Sequence, residues 1–167
     1  MNQTIEIQKK PENSEIVITH SYQADLETIW NAFTEPEILE KWWAPLPYKA
    51  IVVSNNFKPG GKLHYYMLSP EGEKHYCVAE FIRVDPLKSY EVLDAFCDEN
   101  AVINTEFPRM NWKNEFSHLN GITEVTNTIT FNQAEDMTKI LEMGFEEGYT
   151  MGLNQLFALL NQYSVKY

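Results

Sequence analysis

The sequence predicts an α+β protein in which a curved antiparallel sheet of about six to seven strands wraps around a long C-terminal helix. Alternating segments rich in β-branched and aromatic residues predict the strands. Turn sequences at 69–73 and at Asn120-Gly121 join neighbouring segments into hairpins. An apolar stripe along 134–160 predicts one long helix. Because such a helix must bury its stripe, we expect it to lie against the concave face of the sheet.

The elements follow one another simply. Residues 15–23 alternate in polarity and form the first strand. Two short helices follow at 26–34 and 36–43, because Asp25 suits an N-cap and Pro36 suits a first helical turn. The remaining strands are predicted at 50–57, 62–68, 74–84, 89–96, 110–119 and 122–131.

The length of 167 residues suits one domain, which we place at 14–163 after a short polar leader at 1–13. The net charge of −11 argues against nucleic acid and anionic membranes as partners, because both carry negative phosphates. No signal peptide and no membrane span are evident. Cys77 and Cys97 are expected to be free thiols, so we expect a cytoplasmic protein.

Turn chemistry indicates which side chains face the inside of the sheet. Pairing Leu119 with Ile122 across the Asn120-Gly121 turn leaves one face wholly polar and the other apolar except for two asparagines. That inner face carries Trp112, Asn114, Phe116, Val125, Asn127 and Ile129. A shift of one residue would invert the two faces, so the register is well specified.

The same reasoning applies to the neighbouring hairpins. The turn at 69–73 places Leu63 beside Ala79, Tyr65 beside Cys77 and Met67 beside His75, all on the inner face. The next turn places Val92 beside Phe81 and Asp94 beside Ala79.

Polar side chains on this inner face have two interpretations. A buried polar group without a partner costs about 1–3 kcal/mol. Asn114 and Asn127 could therefore bond to each other or to trapped water, or they could orient a ligand in a cavity.

Three glycines, Gly144, Gly148 and Gly152, lie on the apolar stripe of the long helix. Each costs a helix about 1 kcal/mol relative to alanine. They could allow another element to approach closely, which is the commoner use of a buried glycine and the use we favour for Gly148, or they could leave open space between helix and sheet. Three glycines on one stripe exceed what one close crossing requires, which favours open volume under the helix.

Four segments in order carry a family resemblance: the strand ending near Tyr22, then 26–45, 58–67 and 146–160. Together they resemble the heat-shock-protein-90 ATPase activator homologue-like family of the START-like (SRPBCC) helix-grip superfamily, over about 14–163. The chain departs from that pattern at Ala44, where glycine is usual, and at Tyr149, where tryptophan is usual. The segment at 97–110 is also longer than usual.

The resemblance implies a helix-grip fold with a cavity between the sheet and the C-terminal helix. Many superfamily members bind small apolar molecules there, whereas others are cyclases or hydrolases. The eukaryotic namesakes are co-chaperones, which implies a role in stress response. Fold alone does not choose among these functions.

Recognisable catalytic patterns are scarce. The four histidines are far apart, and His64 and His75 are predicted on opposite faces, so we expect no metal site. No nucleophile motif or phosphate loop occurs, and no cofactor is implied. Asp94 and His75 could exchange protons with a bound carbonyl compound, or could be solvated residues at strand ends.

Trp42 and Trp43 close the second short helix. They could be ordinary packing residues, or one of them could cover the mouth of the cavity.

We therefore expect a protein that binds a small, largely apolar molecule between sheet and helix, with no catalytic residue assigned. The predicted wall is Leu63, Tyr65, Met67, Phe81, Val92, Trp112, Phe116 and Ile129. The predicted roof is Phe145, Gly148, Tyr149, Gly152 and Leu156, and the polar groups are Asp94, Asn114 and Asn127. Two alternatives remain: a regulator of a heat-shock chaperone, and an enzyme of the cyclase or dehydratase type.

Overall fold

The structure, a computed structural model, describes residues 4–164 and the side chains as far as residue 161. One antiparallel sheet of eight strands runs in the order β1-β2-β8-β7-β6-β5-β4-β3. Its strands are β1 (Ile5–Lys10), β2 (Glu15–Tyr22), β3 (Lys49–Asn55), β4 (Lys62–Leu68), β5 (Lys74–Asp85), β6 (Ser89–Cys97), β7 (Met110–Leu119) and β8 (Ile122–Thr130). The helices are α1 (Leu26–Thr34), α2 (Pro36–Trp42), α3 (Ala134–Glu142) and α4 (Phe145–Ser164).

The strand registers predicted from the turns are confirmed. Leu119 pairs with Ile122, which places Asn114 opposite Asn127. In the neighbouring hairpins Tyr65 lies opposite Cys77, and the other predicted pairs of β4, β5 and β6 are also present. Because side chains alternate between the two faces along each strand, the predicted registers identified the inner face correctly.

The N-terminal segment differs from the expectation of a leader outside the domain. Residues Ile5–Lys10 form an edge strand paired with β2, and a 3₁₀ turn at Pro11–Asn13 connects the two strands. Only Ile5 and Ile7 supply apolar side chains to this strand, and both are only partly buried. So short an alternation among charged residues is a weak strand signal, which explains the missing strand in the predicted count.

The two short helices are confirmed, with a difference at the first cap. Asp25 occupies the N-cap position of α1, but its side chain makes no capping hydrogen bond to the backbone. Its Oδ1 instead accepts a hydrogen bond from the Thr28 hydroxyl at 2.9 Å.

The C-terminal helix is not continuous, which corrects the single helix predicted for 134–160. Helix α3 ends at Glu142 and α4 begins at Phe145. Gly144 separates them with a φ of +91°, a left-handed conformation that glycine adopts without steric penalty. The periodic apolar stripe continues across this break, and for that reason the sequence pattern does not reveal it.

Helix α1 packs its apolar stripe onto one end of the concave face. Trp30 contacts Phe116 of β7 with ring centroids 5.0 Å apart, and it also contacts Phe57 and Tyr90. Phe33 lies 5.7 Å from Phe116. Trp30 and Phe116, at the centre of this cluster, are both buried.

The segment after β6 covers part of the outer face of the sheet. His64, Val78 and Ala95 form one cross-strand row on that face, and all three are buried. His64 Nε2 donates to the backbone oxygen of Asp98 at 3.2 Å. The segment at 98–109 therefore shields apolar and histidine side chains that a bare sheet would expose.

Among the residues described, no helix is both long and apolar enough to cross a membrane. Within the same range, no three His, Cys, Asp or Glu side chains cluster as a metal site requires.

Candidate functional site

Two adjoining chambers lie between the concave face of the sheet and the helices. The space that the centre of a water molecule can reach is about 60 Å³ in the inner chamber and about 240 Å³ in the outer chamber. Both chambers are lined by Trp43, Tyr65, Asp94, Trp112 and Tyr149, and we call these five residues the neck.

Most of the predicted site residues line these chambers. The inner chamber takes Leu63, Phe81, Val92 and Asn114 in addition to the neck. The outer chamber takes Met67, Phe145 and Gly148. The inner face derived from strand registers therefore does border an unfilled space.

Five predicted site residues do not line either chamber: Phe116, Asn127, Ile129, Gly152 and Leu156. Phe116 is covered by Trp30 and Phe33 of α1. Ile129 and Leu156 are fully buried in the core between β8 and α4. The sheet face is longer than the chambers, so an inward-facing position is not sufficient to reach the cavity.

Sequence reasoning missed the contribution of α1, α2 and the connecting loops. These elements supply Phe33, Thr34, Pro36, Leu39 and Phe57 to the inner chamber and Pro45 to the outer one. The strands add Asn55, Ala79 and Tyr90 to the inner chamber and His75, Cys77, Ala95, Phe96 and Met110 to the outer one, and the predicted registers had placed Ala79, His75 and Cys77 on the inner face. The tryptophan pair at the end of α2 is the sequence signal for this contribution, and Trp43 is the member of the pair that lines both chambers. Its neighbour Trp42 is fully buried and donates Nε1–H to the Ala32 carbonyl, so it is a packing residue.

Hydrogen bonds hold the side chains of the neck in place. Trp43 Nε1 donates to the Tyr65 hydroxyl at 3.0 Å, and Trp112 Nε1 donates to Asp94 Oδ2 at 3.0 Å. The backbone N–H of Met110 donates to Asp94 Oδ1 at 3.1 Å. The Tyr149 ring packs against the edges or faces of the Trp43 and Trp112 rings.

Asp94 is an unusual carboxyl group because it is buried in this aromatic surrounding. Burial raises its pKa from 3.8 to about 7, although the hydrogen bonds from Met110 and Trp112 act in the opposite direction. Burial likewise raises the pKa of the Cys77 thiol to about 12. Cys77 is therefore not a thiolate at neutral pH, and nucleophilic chemistry at this position is not supported.

A buried polar network lies behind the inner chamber and accounts for Asn127. Asn127 Oδ1 accepts from His20 Nε2 at 2.7 Å and from the Tyr149 hydroxyl at 2.7 Å. Its Nδ2 donates to Asn114 Oδ1 at 2.6 Å. Because Oδ1 only accepts, His20 carries its proton on Nε2, and the Tyr22 hydroxyl donates to His20 Nδ1 at 2.6 Å.

This network decides between the two interpretations of the asparagines. Asn127 is satisfied by protein groups and does not line either chamber. Asn114 uses its oxygen for Asn127 but also lines the inner chamber, so its amide N–H groups are its contribution to the cavity. Tyr149 belongs to both the network and the neck.

One polar atom in the inner chamber lacks a partner. Asn55 Oδ1 is buried and makes no hydrogen bond with any described residue. Register places Asn55 in one cross-strand row with Leu63, Ala79 and Asp94. The row therefore has polar residues, Asn55 and Asp94, at its two ends and the apolar residues Leu63 and Ala79 between them.

The three glycines have three different roles. Gly144 separates helices α3 and α4 in a left-handed conformation, as described above. A Cβ at Gly148 would lie 3.9 Å from Pro45 Cγ, and Gly148 lines the outer chamber, so it leaves open space. A Cβ at Gly152 would lie 3.2 Å and 3.3 Å from the carbonyl oxygens of Trp43 and Trp42, so Gly152 permits close approach of α4 to α2. The close approach favoured for Gly148 is therefore wrong, because Gly152 has that role, whereas the open volume expected under the stripe is found at Gly148.

Stability should depend on pH through two buried groups of opposite effect. The folded state holds a proton on Asp94 up to about pH 7, whereas the unfolded carboxyl loses it near 3.8, so this group lowers the free energy of unfolding as pH rises between those values. Burial lowers the pKa of His20 from 6.5 to about 4, so this group raises the free energy of unfolding over that range.

Asp94→Asn should therefore leave the His20 effect unopposed. We expect the free energy of unfolding of this variant to rise with pH between about 4.5 and 6.5 more steeply than that of the wild type, by up to about 1.4 kcal/mol per pH unit. Urea unfolding at three pH values in this range measures the slope. Glu124→Gln removes an exposed carboxylate and should keep the wild-type slope; equal slopes for Asp94→Asn and wild type would contradict the assignment.

Comparison with known proteins agrees with this architecture. A crystal structure of a protein from Mycobacterium smegmatis superposes with a TM-score of 0.86 at 33% sequence identity, covering 94% of this chain and 97% of that chain. A solution NMR structure from Arthrobacter aurescens superposes with a TM-score of 0.88 at 30% identity, covering 94% and 91%. One from Staphylococcus epidermidis gives 0.82 at 32% identity, covering 94% of both chains.

No functionally curated protein matches the chain. Residues 23–161 match the family described as Activator of Hsp90 ATPase homolog 1-like protein. That match spans both short helices, the sheet from β3 to β8 and most of α4. The chain therefore belongs to the Activator of Hsp90 ATPase homolog 1-like family and has its helix-grip fold.

Proposed function

We propose that this protein binds a small, largely apolar molecule in the two chambers between the sheet and the helices. The observation that carries the proposal is the cavity itself, because the residues around it leave space that their own side chains do not fill. Sites for small molecules are concave, mostly apolar, and furnished with a few placed polar groups, and both chambers have this character.

The lining supplies the affinity. Aromatic and aliphatic side chains from the sheet, from α1 and α2 and from α4 surround the chambers. Burying apolar ligand surface contributes about 25 cal/mol per Å², so a molecule of naphthalene size could gain several kcal/mol before the cost of its immobilisation. No catalytic constellation is needed for this function, and Cys77 is not activated for one.

The polar groups of the chambers indicate how a ligand is oriented. Asn114 and Asp94 line the inner chamber, and the Asn114 amide N–H groups can donate to a ligand while the Asp94 carboxyl can accept from one. The favoured ligand is thus an apolar body that carries at least one polar group.

Filling the chambers with protein side chains tests the proposal. We expect the uncharged fluorescent probe N-phenyl-1-naphthylamine to bind, with quenching of Trp43 and Trp112 fluorescence. Gly148→Phe should fill the outer chamber and Ala79→Leu the inner one, and each should weaken binding by about tenfold, because the probe loses the space it occupies.

Asn154→Phe is the matched control, because it adds the same ring at an exposed position of α4. It should leave affinity unchanged. Circular dichroism should show that all three variants remain folded. Wild-type affinity in both filled variants would contradict a site in the chambers.

A further inference from the structure

We propose that the neck binds a positively charged nitrogen, so that the ligand is an apolar molecule bearing a protonated amine or a quaternary ammonium group. This inference rests on the proposed function, because it specifies the polar end of the molecule held in the chambers.

The first support is the set of rings around Asp94. Trp43, Trp112 and Tyr149 contact one another pairwise, with centroids 5.3–6.2 Å apart and planes inclined by 54–79°. The Tyr65 hydroxyl is hydrogen-bonded to Trp43 on the same neck. All three rings line both chambers, so a cation held there would lie against aromatic surface, and the negative face of an aromatic ring attracts a cation.

The second support is the distribution of charge. Asp94 lines both chambers, whereas no lysine or arginine lines either of them among the described residues. Each Asp94 oxygen accepts one hydrogen bond from the protein, and a carboxylate has about four acceptor positions, so two remain for a ligand. Arg109 approaches from outside and donates to the backbone oxygens of Asp94 and Leu93.

Inside the chambers an anionic ligand would therefore meet the Asp94 carboxyl group, while Arg109, whose charge acts on that carboxyl, is not part of the lining. A cationic ligand would instead provide the partner that a buried carboxylate lacks inside the chambers. The geometry thus favours one sign of charge on the ligand, and hydrophobic burial alone would not.

The protonation of Asp94 supplies a pH signature. Its pKa is raised to about 7 by burial, so the group gains charge as pH rises through neutrality. The titratable groups that face it are Tyr65 and Cys77 of neighbouring strands and Tyr149 of α4, and burial raises the pKa of all three. His75 also lines the outer chamber, and Arg109 lies outside.

Three probes of one shape test the sign of charge. They are trimethyl(naphthalen-2-ylmethyl)ammonium, its uncharged carbon isostere 2-neopentylnaphthalene, and the anion 2-naphthylacetate. Each is measured by displacement of N-phenyl-1-naphthylamine. At about pH 8 we expect the cation to bind at least about tenfold more tightly than the isostere and the anion to bind more weakly than both.

Two comparisons assign this preference to Asp94. In the wild type the preference for the permanently charged cation should shrink several-fold between about pH 8 and pH 5.5, because Asp94 becomes protonated. Asp94→Asn should reduce the preference at about pH 8, whereas Glu124→Gln, on the exposed face, should retain it. The pH comparison needs no variant and so remains decisive if Asp94→Asn does not fold.

The experiment distinguishes failure of the charged-nitrogen inference from failure of the proposed binding function. Equal binding of cation and isostere, or tighter binding of the anion, overturns the charged-nitrogen inference and leaves the apolar binding site in place. Absence of binding by the naphthylamine reporter and by all three probes overturns both proposals.

Discussion

Replacing Asn127 by leucine is expected to lower the free energy of unfolding by about 4 kcal/mol or more. The substitution nearly preserves side-chain volume but removes the partner of three buried polar groups: His20 Nε2–H, the Tyr149 hydroxyl and Asn114 Oδ1. A buried donor or acceptor left without a partner costs about 1–3 kcal/mol. Because all three groups bond to Asn127, a single substitution removes all three hydrogen bonds. The three free-energy costs need not add up, since the groups belong to one network.

Tyr149→Phe is the matched comparison for this network. It removes one donor to Asn127 Oδ1, which still accepts from His20, so no buried atom of Asn127 is left unpaired. We expect a cost of about 1 kcal/mol. Urea denaturation followed by circular dichroism measures both variants. A loss for Asn127→Leu no larger than that for Tyr149→Phe would show that the network is not a stabilising unit.

Replacing Gly152 by leucine is expected to destabilise the protein by about 3 kcal/mol. The added Cβ alone would lie 3.2–3.3 Å from two backbone carbonyl oxygens at the end of α2, and backbone atoms cannot move aside as a flexible side chain could. The crowding would also disturb Gln155, one turn further along α4, whose side chain bonds to the carbonyls of Trp42 and Ala44 and to the N–H of Leu46.

The same helix offers the control. A Cβ at Gly148 meets only Pro45 Cγ, at 3.9 Å, and Gly148 does not have a left-handed backbone. Gly148→Ala should therefore stabilise the protein by about 0.5–1 kcal/mol, because alanine is the better helix former and restricts the unfolded chain. Thermal and urea unfolding should show opposite signs for the two positions. A stabilising Gly152→Leu would refute close contact between α4 and α2.

Because Gly152 lies at the contact between α4 and α2, its enlargement does not test the cavity. A large side chain there does not enter the chambers, so loss of binding in such a variant would report on damage to the α2–α4 contact. Gly148, which borders the outer chamber, is the glycine whose enlargement tests the cavity.

The sequence determined the inner face of the sheet because strand geometry is local. Asn120-Gly121 specifies a tight hairpin, side chains alternate with a period of two, and the pairing of Asn114 with Asn127 follows directly. The same logic brought Leu63, Tyr65 and Asp94 to the cavity wall. It failed for the edge strand β1, where the apolar pattern is short, and for the break at Gly144, where the pattern is uninterrupted.

Only the tertiary structure decided which part of that face borders open space. Helix α1 lays Trp30 and Phe33 over Phe116, so that Phe116 is buried and lines neither chamber, while Trp43 after α2 stands at the junction of the two chambers. Periodicity shows that a helix has an apolar side, but the position at which that side docks depends on contacts between residues far apart in sequence. For the same reason, equal spacing of Gly148 and Gly152 on one stripe did not distinguish open volume from close backbone approach.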